Sequence, residues 1–185
     1  MNISASIQAA NQLNLLTDIK NNSDKFDQLH IDITDGHFTS NIGLSLDIVS
    51  LLKNQTDYKL DVHLMLENNS KYVEKVIDYG ADIVTVHCES TDIDEFKSIT
   101  NNYDNIGIGI LPSTNMEVLK SYADFTSIFL LLTVNPGFSN QLKAVNLVDR
   151  VNEFWQISSL PILVILKHFH RIWNIPVAGF QKSRP

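Results

Sequence analysis

Histidine and aspartate side chains occur at a spacing suited to metal binding in the segment His30-Ile31-Asp32. Leu29 and Ile33 flank it, so apolar and polar residues alternate as they do in a half-buried β-strand. Alternate residues of a strand project from the same face, which predicts that His30 and Asp32 lie side by side. An imidazole and a carboxylate together can bind a divalent cation, and the carboxylate can also act as a general base. Taken alone, the pair is more typical of a strand with an ion-paired histidine.

Similar polar residues occur in two later apolar segments. Asp61, His63 and Met65 share one face of a predicted strand, and His87 ends another. In a parallel β/α barrel, the catalytic side chains lie at the carboxyl ends of the strands. Three histidines and an aspartate at the same end of one barrel are hard to attribute to chance. The sequence therefore favours a functional site over an ion-paired structural histidine.

Short β-type runs alternate with segments of helical periodicity along most of the chain. Six consecutive strand–helix units indicate a parallel sheet and favour a (β/α)8 TIM barrel over a doubly wound sheet. No GxGxxG motif follows the first strand, which weakens a dinucleotide-binding alternative. The predicted strands are Ile3–Ile7, Phe26–Ile33, Tyr58–Leu66, Ala81–His87, Ile106–Leu111 and Phe125–Val134, with Pro161–Leu166 as a candidate seventh. The predicted helices are Leu13–Lys20, segments around 44–52 and 72–77, Ile93–Ile99, Met116–Tyr122 and Leu142–Phe154.

The composition is that of a soluble globular protein. The 185 residues suffice for one domain, and 44% are hydrophobic and 19% charged. A net charge of −7 argues against nucleic-acid binding, although a small anionic substrate can still occupy a locally positive pocket. Cys88 is the only cysteine, so no internal disulfide is expected. Without a signal-like start or an apolar run of about 18 residues, the expected location is the cytoplasm, with no membrane partner.

Four segments closely resemble motifs of ribulose-phosphate 3-epimerase, which the related allulose-6-phosphate 3-epimerases share. They are Leu29–Phe38 (LHIDITDGHF), Leu60–Met65 (LDVHLM), Val86–Thr91 (VHCEST) and Thr133–Phe138 (TVNPGF). The match runs in order, with the family's spacing, from Ile3 to about Phe154. The resemblance implies a TIM-barrel isomerase of the pentose phosphate pathway. Such an enzyme interconverts D-ribulose 5-phosphate and D-xylulose 5-phosphate by metal-assisted proton transfer at C3.

The resemblance also assigns roles to individual residues. His30, Asp32 and His63 match three of the family's four protein ligands for one divalent cation, which can be Zn²⁺, Mn²⁺, Co²⁺ or Fe²⁺. Asp32 also matches one of the two carboxylates that act as acid and base in catalysis. The residues implied in binding the sugar phosphate are Ser6, His63, Met65 and Gly137. Assembly of the chain into a homo-oligomer stays an open alternative.

The end of the chain departs from the family. The family's seventh strand ends in Val-Asp-Gly-Gly, whose aspartate is the second acid/base and the fourth metal ligand. After Thr133, this chain has only Asp149 and Glu153 as carboxylate side chains, and both are predicted on an outer helix. We therefore expect an incomplete barrel over residues 1–157 and an atypical tail, 158–185, that is not a separate domain. The sheet edges of this barrel should be exposed, and the epimerase activity of the chain should be very low. The alternatives are an allulose-6-phosphate 3-epimerase and an inactive remnant of the barrel.

Overall fold

The chain is described by a computed structural model, which covers residues 3–136 and 145–165. Its strands are β1 (Ser4–Ser6), β2 (Gln28–Thr34), β3 (Lys59–Met65), β4 (Ile83–His87), β5 (Ile106–Ile110), β6 (Ile128–Leu132) and β7 (Ile162–Ile165). Its α-helices are α1 (Leu15–Asn21), α2 (Asp47–Gln55), α3 (Ser70–Asp78), α4 (Ile93–Thr100) and α5 (Leu147–Phe154). Short 3₁₀ segments span Ile7–Ala9, Gln12–Asn14 and Met116–Ser121.

The seven strands form one parallel sheet in which each strand pairs with the next along the chain, from β1 to β7. This strand order, with connecting helices, is that of an incomplete (β/α)8 barrel. Among the described residues, no strand joins the outer edges of β1 and β7. Exposure of those edges in solution stays a prediction.

The inner strands of the sheet are largely buried on both faces, as is typical of parallel sheets covered by helices, whereas the edge strands β1 and β7 are partly exposed. All seven residues of β2 and all five of β5 are buried. Between the sheet and the helices lies an apolar core in which the Phe129 and Phe154 rings pack with centroids 5.0 Å apart. Helix α3 ends at an expected signal: Gly80 follows it with φ of +98°, a left-handed conformation that glycine adopts at little cost.

The predicted alternation of strands and helices is confirmed, and the differences concern the type of one helix and the ends of elements. The predicted α-helix at Met116–Tyr122 is a 3₁₀ segment, whose Asn115 side chain accepts a hydrogen bond from the Glu117 amide. The last predicted helix begins at Leu147 within the described residues, capped by the Asn146 side chain, which accepts from the Val148 amide. The candidate seventh strand is present as β7 and extends the sheet beyond residue 157.

Within residues 3–136 and 145–165, no helix has the length and apolar character needed to cross a membrane.

Candidate metal centre and active site

Strand register sets the polar side chains of β1 to β4 next to one another. The register aligns Ser6 with His30 and His30 with Asp61. Two residues further along both strands, it aligns Asp32 with His63. Side chains at aligned positions of neighbouring strands project to the same face of the sheet. Four short strands therefore supply one continuous polar cluster inside the barrel.

His30, Asp32 and His63 form the centre of this cluster, and each has at most 2% of its surface exposed. Asp32 Oδ1 lies 3.1 Å from His30 Nε2 and 2.9 Å from His63 Nδ1. One ligand atom from each of the three residues lies within 4.8 Å of the others. The second carboxylate oxygen, Asp32 Oδ2, is buried and has no hydrogen-bond partner in the described part of the chain.

This set of donors fits a divalent cation. Two imidazoles and a carboxylate are ligands that Zn²⁺, Mn²⁺, Co²⁺ and Fe²⁺ accept. A buried carboxylate oxygen without a partner costs free energy, so Asp32 Oδ2 is an unused acceptor that a cation or a substrate hydroxyl would satisfy. The cluster therefore has the ligand types of a metal site and, in Asp32 Oδ2, an oxygen that can bind the cation.

The second ring nitrogen of each candidate histidine ligand, the one turned away from Asp32, faces another polar side chain. His30 Nδ1 lies 2.7 Å from Asp61 Oδ2, which also accepts a hydrogen bond from the Ser4 hydroxyl at 3.1 Å. His63 Nε2 lies 2.7 Å from His87 Nε2. On the far side of that ring, His87 Nδ1 lies 3.0 Å from Glu89 Oε2, and the Leu111 amide donates to Glu89 Oε1 at 2.8 Å. A chain of polar contacts, buried from Asp61 to His87, thus runs from Ser4 to the Leu111 backbone.

The two candidate histidine ligands differ in charge. Burial disfavours the charged form of His30, but the carboxylates of Asp61 and Asp32 outweigh it and raise its pKa to about 10. Burial is the main cause that lowers the pKa of His63 to about 4. Burial also opposes ionisation of Asp32, yet His30 and His63 together hold its pKa well below the usual range. Without metal, the centre is therefore an imidazolium beside an ionised carboxylate and a neutral imidazole.

Glu89 is also ionised. Burial alone raises its pKa, but hydrogen bonding to and attraction by His87, with further contacts to Thr114 and the Leu111 amide, lower it to about 2. An ionised carboxylate only accepts hydrogen bonds. His87 Nδ1 therefore has a fixed acceptor beside it.

The loop after β2 contacts the polar cluster at His87. Asp35 organises this loop, because its Oδ1 accepts from the amides of His37 and Phe38 and its Oδ2 accepts from the Glu67 amide. The Phe38 ring then lies over His87, with centroids 4.9 Å apart. The loop thereby contributes to the complete burial of His87.

The structure brings together the three predicted metal ligands, while the roles of the other predicted residues stay predictions. Ser6 lies beside His30 on β1, and Met65 is buried at the end of β3. Gly137 lies outside the described residues. Asp149 and Glu153 are exposed on α5, as predicted, and do not reach the centre.

Sequence reasoning assigned no role to Glu89. Its sequence signal is the two-residue spacing from His87, the same spacing that suggested pairing His30 with Asp32. Glu89 follows the end of β4, so strand alternation alone does not fix its direction. A turn, closed by the Ser90 amide donating to the His87 carbonyl, directs its carboxylate back to His87.

Comparison with known proteins identifies the family. The sequence profile of the Ribulose-phosphate 3 epimerase family matches residues 2–161. Ribulose-phosphate 3-epimerase of Chlamydia pneumoniae is 35% identical over 127 residues, which cover 68% of this chain and 56% of that protein. The Bacillus subtilis enzyme of the same name is 35% identical over 129 residues, 69% of this chain and 59% of that protein.

A chloroplastic ribulose-5-phosphate-3-epimerase of Arabidopsis thaliana is 32% identical over 131 residues, covering 69% of this chain and 47% of that protein. The matched part of the chain thus spans about half the length of these relatives. The matched region contains all three residues of the His30–Asp32–His63 centre and the strands that position them. This chain belongs to the ribulose-phosphate 3-epimerase family.

Proposed function

We propose that the chain binds a ketopentose phosphate, D-ribulose 5-phosphate or D-xylulose 5-phosphate, and that Asp32 removes the proton at C3. The observation that carries the proposal is the buried His30–Asp32–His63 centre with its unpartnered carboxylate oxygen. The names of the relatives supply the substrate class.

Asp32 has the properties of a positioned base. Its Oδ1 is held by His30 and His63, which fixes the plane of the carboxylate and leaves Oδ2 free to accept a proton. Its lowered pKa keeps it ionised at neutral pH. A positioned base of this kind contributes about 10²- to 10⁴-fold to the rate of proton transfer.

His30, Asp32 and His63 would hold the divalent cation. When bound, the cation would supply a Lewis acid that stabilises negative charge on the substrate oxygens. Zn²⁺, Mn²⁺, Co²⁺ and Fe²⁺ all suit two imidazoles and one carboxylate, and we propose one of these four as the resident ion. We further propose that Ser6 and Met65, on the neighbouring strands, contact the substrate together with His63 and Gly137.

Inversion at C3 needs a second acid on the opposite face of the substrate, and the strands beyond β4 offer none in the described region. All four residues of β7 are aliphatic: Ile162, Leu163, Val164 and Ile165. The carboxylates of α5 are exposed outside the barrel. We therefore propose that this 185-residue chain carries out proton abstraction much better than epimerisation.

Exchange of the C3 proton tests the role of Asp32. D-Ribulose 5-phosphate is incubated with the protein and Zn²⁺ in deuterated water, and deuterium at C3 is followed by NMR. We expect exchange that Asp32→Asn lowers by about 10²-fold or more, because an amide cannot accept the proton. Asp149→Asn, at an exposed carboxylate, is the matched control and should exchange at the unaltered rate. Equal exchange by Asp32→Asn and the unaltered chain would contradict the assignment.

A further inference from the structure

We propose that His87 and Glu89 are positioning residues that set which nitrogen of His63 carries hydrogen, so that His63 Nδ1 presents its lone pair to a divalent cation. The inference rests on the proposed metal centre and adds two residues to it. Neither side chain contacts Asp32 or His30 directly in the hydrogen bonds described, so both act through His63.

Both ring nitrogens of His63 face a specific partner. Nδ1 points at Asp32 Oδ1, at 2.9 Å, on the side of the proposed cation. Nε2 lies 2.7 Å from His87 Nε2 and is buried with it. A neutral imidazole carries hydrogen on only one nitrogen. His63 can therefore be a ligand through Nδ1 only when its hydrogen is on Nε2 and is donated to His87.

Glu89 makes that arrangement favourable. When His87 Nε2 accepts from His63, the hydrogen of a neutral His87 must be on Nδ1, where it needs an acceptor. Glu89 Oε2, at 3.0 Å, is that acceptor, and the ionised carboxylate cannot donate in return. The negative charge of Glu89 thereby determines which group donates in both hydrogen bonds: His87 donates to Glu89, and His63 donates to His87.

The orientation of this pair is itself fixed by the fold. The Leu111 amide donates to Glu89 Oε1 at 2.8 Å, so the carboxylate is anchored to the end of β5. The His87 ring lies between Phe38 and Gly109. A Cβ at residue 109 would lie 3.1 Å from two atoms of that ring, so glycine provides the space it needs. These contacts hold His87 where its Nε2 meets His63.

The polarity of the pair separates a positioning role from a structural one. Hydrogen-bonded groups behind metal-binding histidines typically contribute 10- to 100-fold to metal affinity. A merely structural contact would be served by any side chain of the right shape that can hydrogen-bond. The proposed role needs a hydrogen-bond acceptor at residue 89, so a donor of the same shape at this position should lower the affinity for metal.

Glu89→Gln and Glu89→Ala make the matched test. In Glu89→Gln, the Leu111 amide claims the carbonyl oxygen, so the amide NH₂ faces His87 Nδ1 and forces it to accept. His87 then donates from Nε2, which places hydrogen on His63 Nδ1 and blocks it as a ligand. Glu89→Ala removes the preference without reversing it.

Affinity for Co²⁺ alone, followed by visible absorption, is measured for the unaltered chain and both variants, together with thermal unfolding of the metal-free proteins. We expect Glu89→Gln to bind Co²⁺ about 10- to 100-fold more weakly than the unaltered chain. Glu89→Ala should lose less affinity, although it loses more side-chain contacts. Glu89→Gln should be at least as stable as Glu89→Ala when metal-free.

The possible failures are distinguishable. If the unaltered chain does not bind Co²⁺, the metal centre and this inference are both wrong. If it binds Co²⁺ and Glu89→Gln binds equally well, only the positioning role is wrong. If Glu89→Ala binds most weakly, in step with its loss of stability, Glu89 is structural and the inference is overturned.

Discussion

The two halves of the sheet have opposite characters on their inner faces. From β1 to β4, the inward positions carry Ser4, His30, Asp32, Asp61, His63 and His87, linked by hydrogen bonds. From β5 to β7, the row aligned with His87 continues as Gly109, Leu130 and Leu163. One half of the barrel therefore has the groups for binding a cation and removing a proton, and the other half is apolar over the described residues.

The unpaired polar atoms indicate that the polar half of the sheet is not built for stability. Buried polar atoms normally find partners, yet Asp32 Oδ2 and Asp61 Oδ1 have none among the residues described. Leaving such atoms unpaired typically costs about 1–3 kcal/mol each. The buried leucines of β6, in the apolar half, have no polar side-chain atoms to leave unpaired, and they contribute to the packed interior. The polar half is thus the part whose substitution should change chemistry more than folding.

The largest effect is expected from Asp32→Asn on metal binding. The substitution removes the charged ligand that lies between His30 and His63, and the amide oxygen that replaces it can accept a hydrogen bond but carries no negative charge. Titration with Co²⁺ should then show no saturable binding at concentrations that saturate the unaltered chain. Asp149→Asn, on the exposed face of α5, should bind normally. Tight binding by Asp32→Asn would show that the cation site lies elsewhere.

Metal affinity should rise steeply with pH. In the metal-free centre, the His30 imidazolium faces Asp61 through Nδ1 and Asp32 through Nε2, whereas His63 is a neutral imidazole with one hydrogen. Ligation by His30 Nε2 removes the hydrogen that it shares with Asp32, whereas His63 binds through Nδ1 with its hydrogen on Nε2, so about one proton leaves. The raised pKa of His30, about 10, keeps it protonated at neutral pH, so protons compete with the cation.

Calorimetric titration of Zn²⁺ in buffers of different ionisation enthalpy, from pH 6 to 8, measures this release. The sign follows from the raised pKa: lowering the proton concentration favours the metal-bound form, so affinity increases with pH. Binding that releases no protons and is independent of pH would contradict the hydrogen-bonded arrangement. It would also remove the basis for the charge assigned to His30.

A substitution in the apolar half should show the reverse behaviour. Leu131 on β6 is fully buried in the core between sheet and helices. Leu131→Ala should lower the free energy of unfolding by about 2–5 kcal/mol, since it leaves a cavity. Co²⁺ affinity of the folded fraction should be unchanged. A large loss of affinity with little loss of stability would show that the two halves are not separable.

Asp61→Asn should have a smaller effect than these. The amide can still accept from His30 Nδ1, but it lacks the charge that favours a proton on that nitrogen. We expect Co²⁺ affinity to fall by about 10-fold, with normal folding monitored by circular dichroism. Ser4→Ala, which removes only the hydroxyl donor to Asp61, should have a still weaker effect. A larger loss in Ser4→Ala than in Asp61→Asn would be inconsistent with support through charge.

Sequence periodicity predicted most of the fold, because buried parallel strands and amphipathic helices leave strong patterns. It did not distinguish an α-helix from a 3₁₀ helix, since the segment at Met116–Ser121 is 3₁₀ and not α-helical. Alternation within one strand predicted that His30 and Asp32 are adjacent. The register between strands is not encoded in any single strand, so the contact of Asp32 with His63 was inferred only through the resemblance to the family.

The role of Glu89 was not predictable by the same reasoning. The residue follows β4, and its direction is set by a turn and by the amide of Leu111 on the next strand. Such a contact depends on the packing of two loops, which periodicity does not report. The absence of an acid on β7 was predicted from residue types alone, since no aspartate or glutamate lies near that strand.

The most direct test of the account compares two rates on one sample of the 185-residue chain. D-Ribulose 5-phosphate is incubated with Zn²⁺-loaded protein in deuterated water, and NMR follows deuterium at C3 and formation of D-xylulose 5-phosphate together. Because Asp32 can exchange the proton and residues 3–136 and 145–165 place no second acid opposite it, exchange should exceed inversion by about 10²-fold or more. Inversion as fast as exchange would contradict the account and show that another group returns the proton.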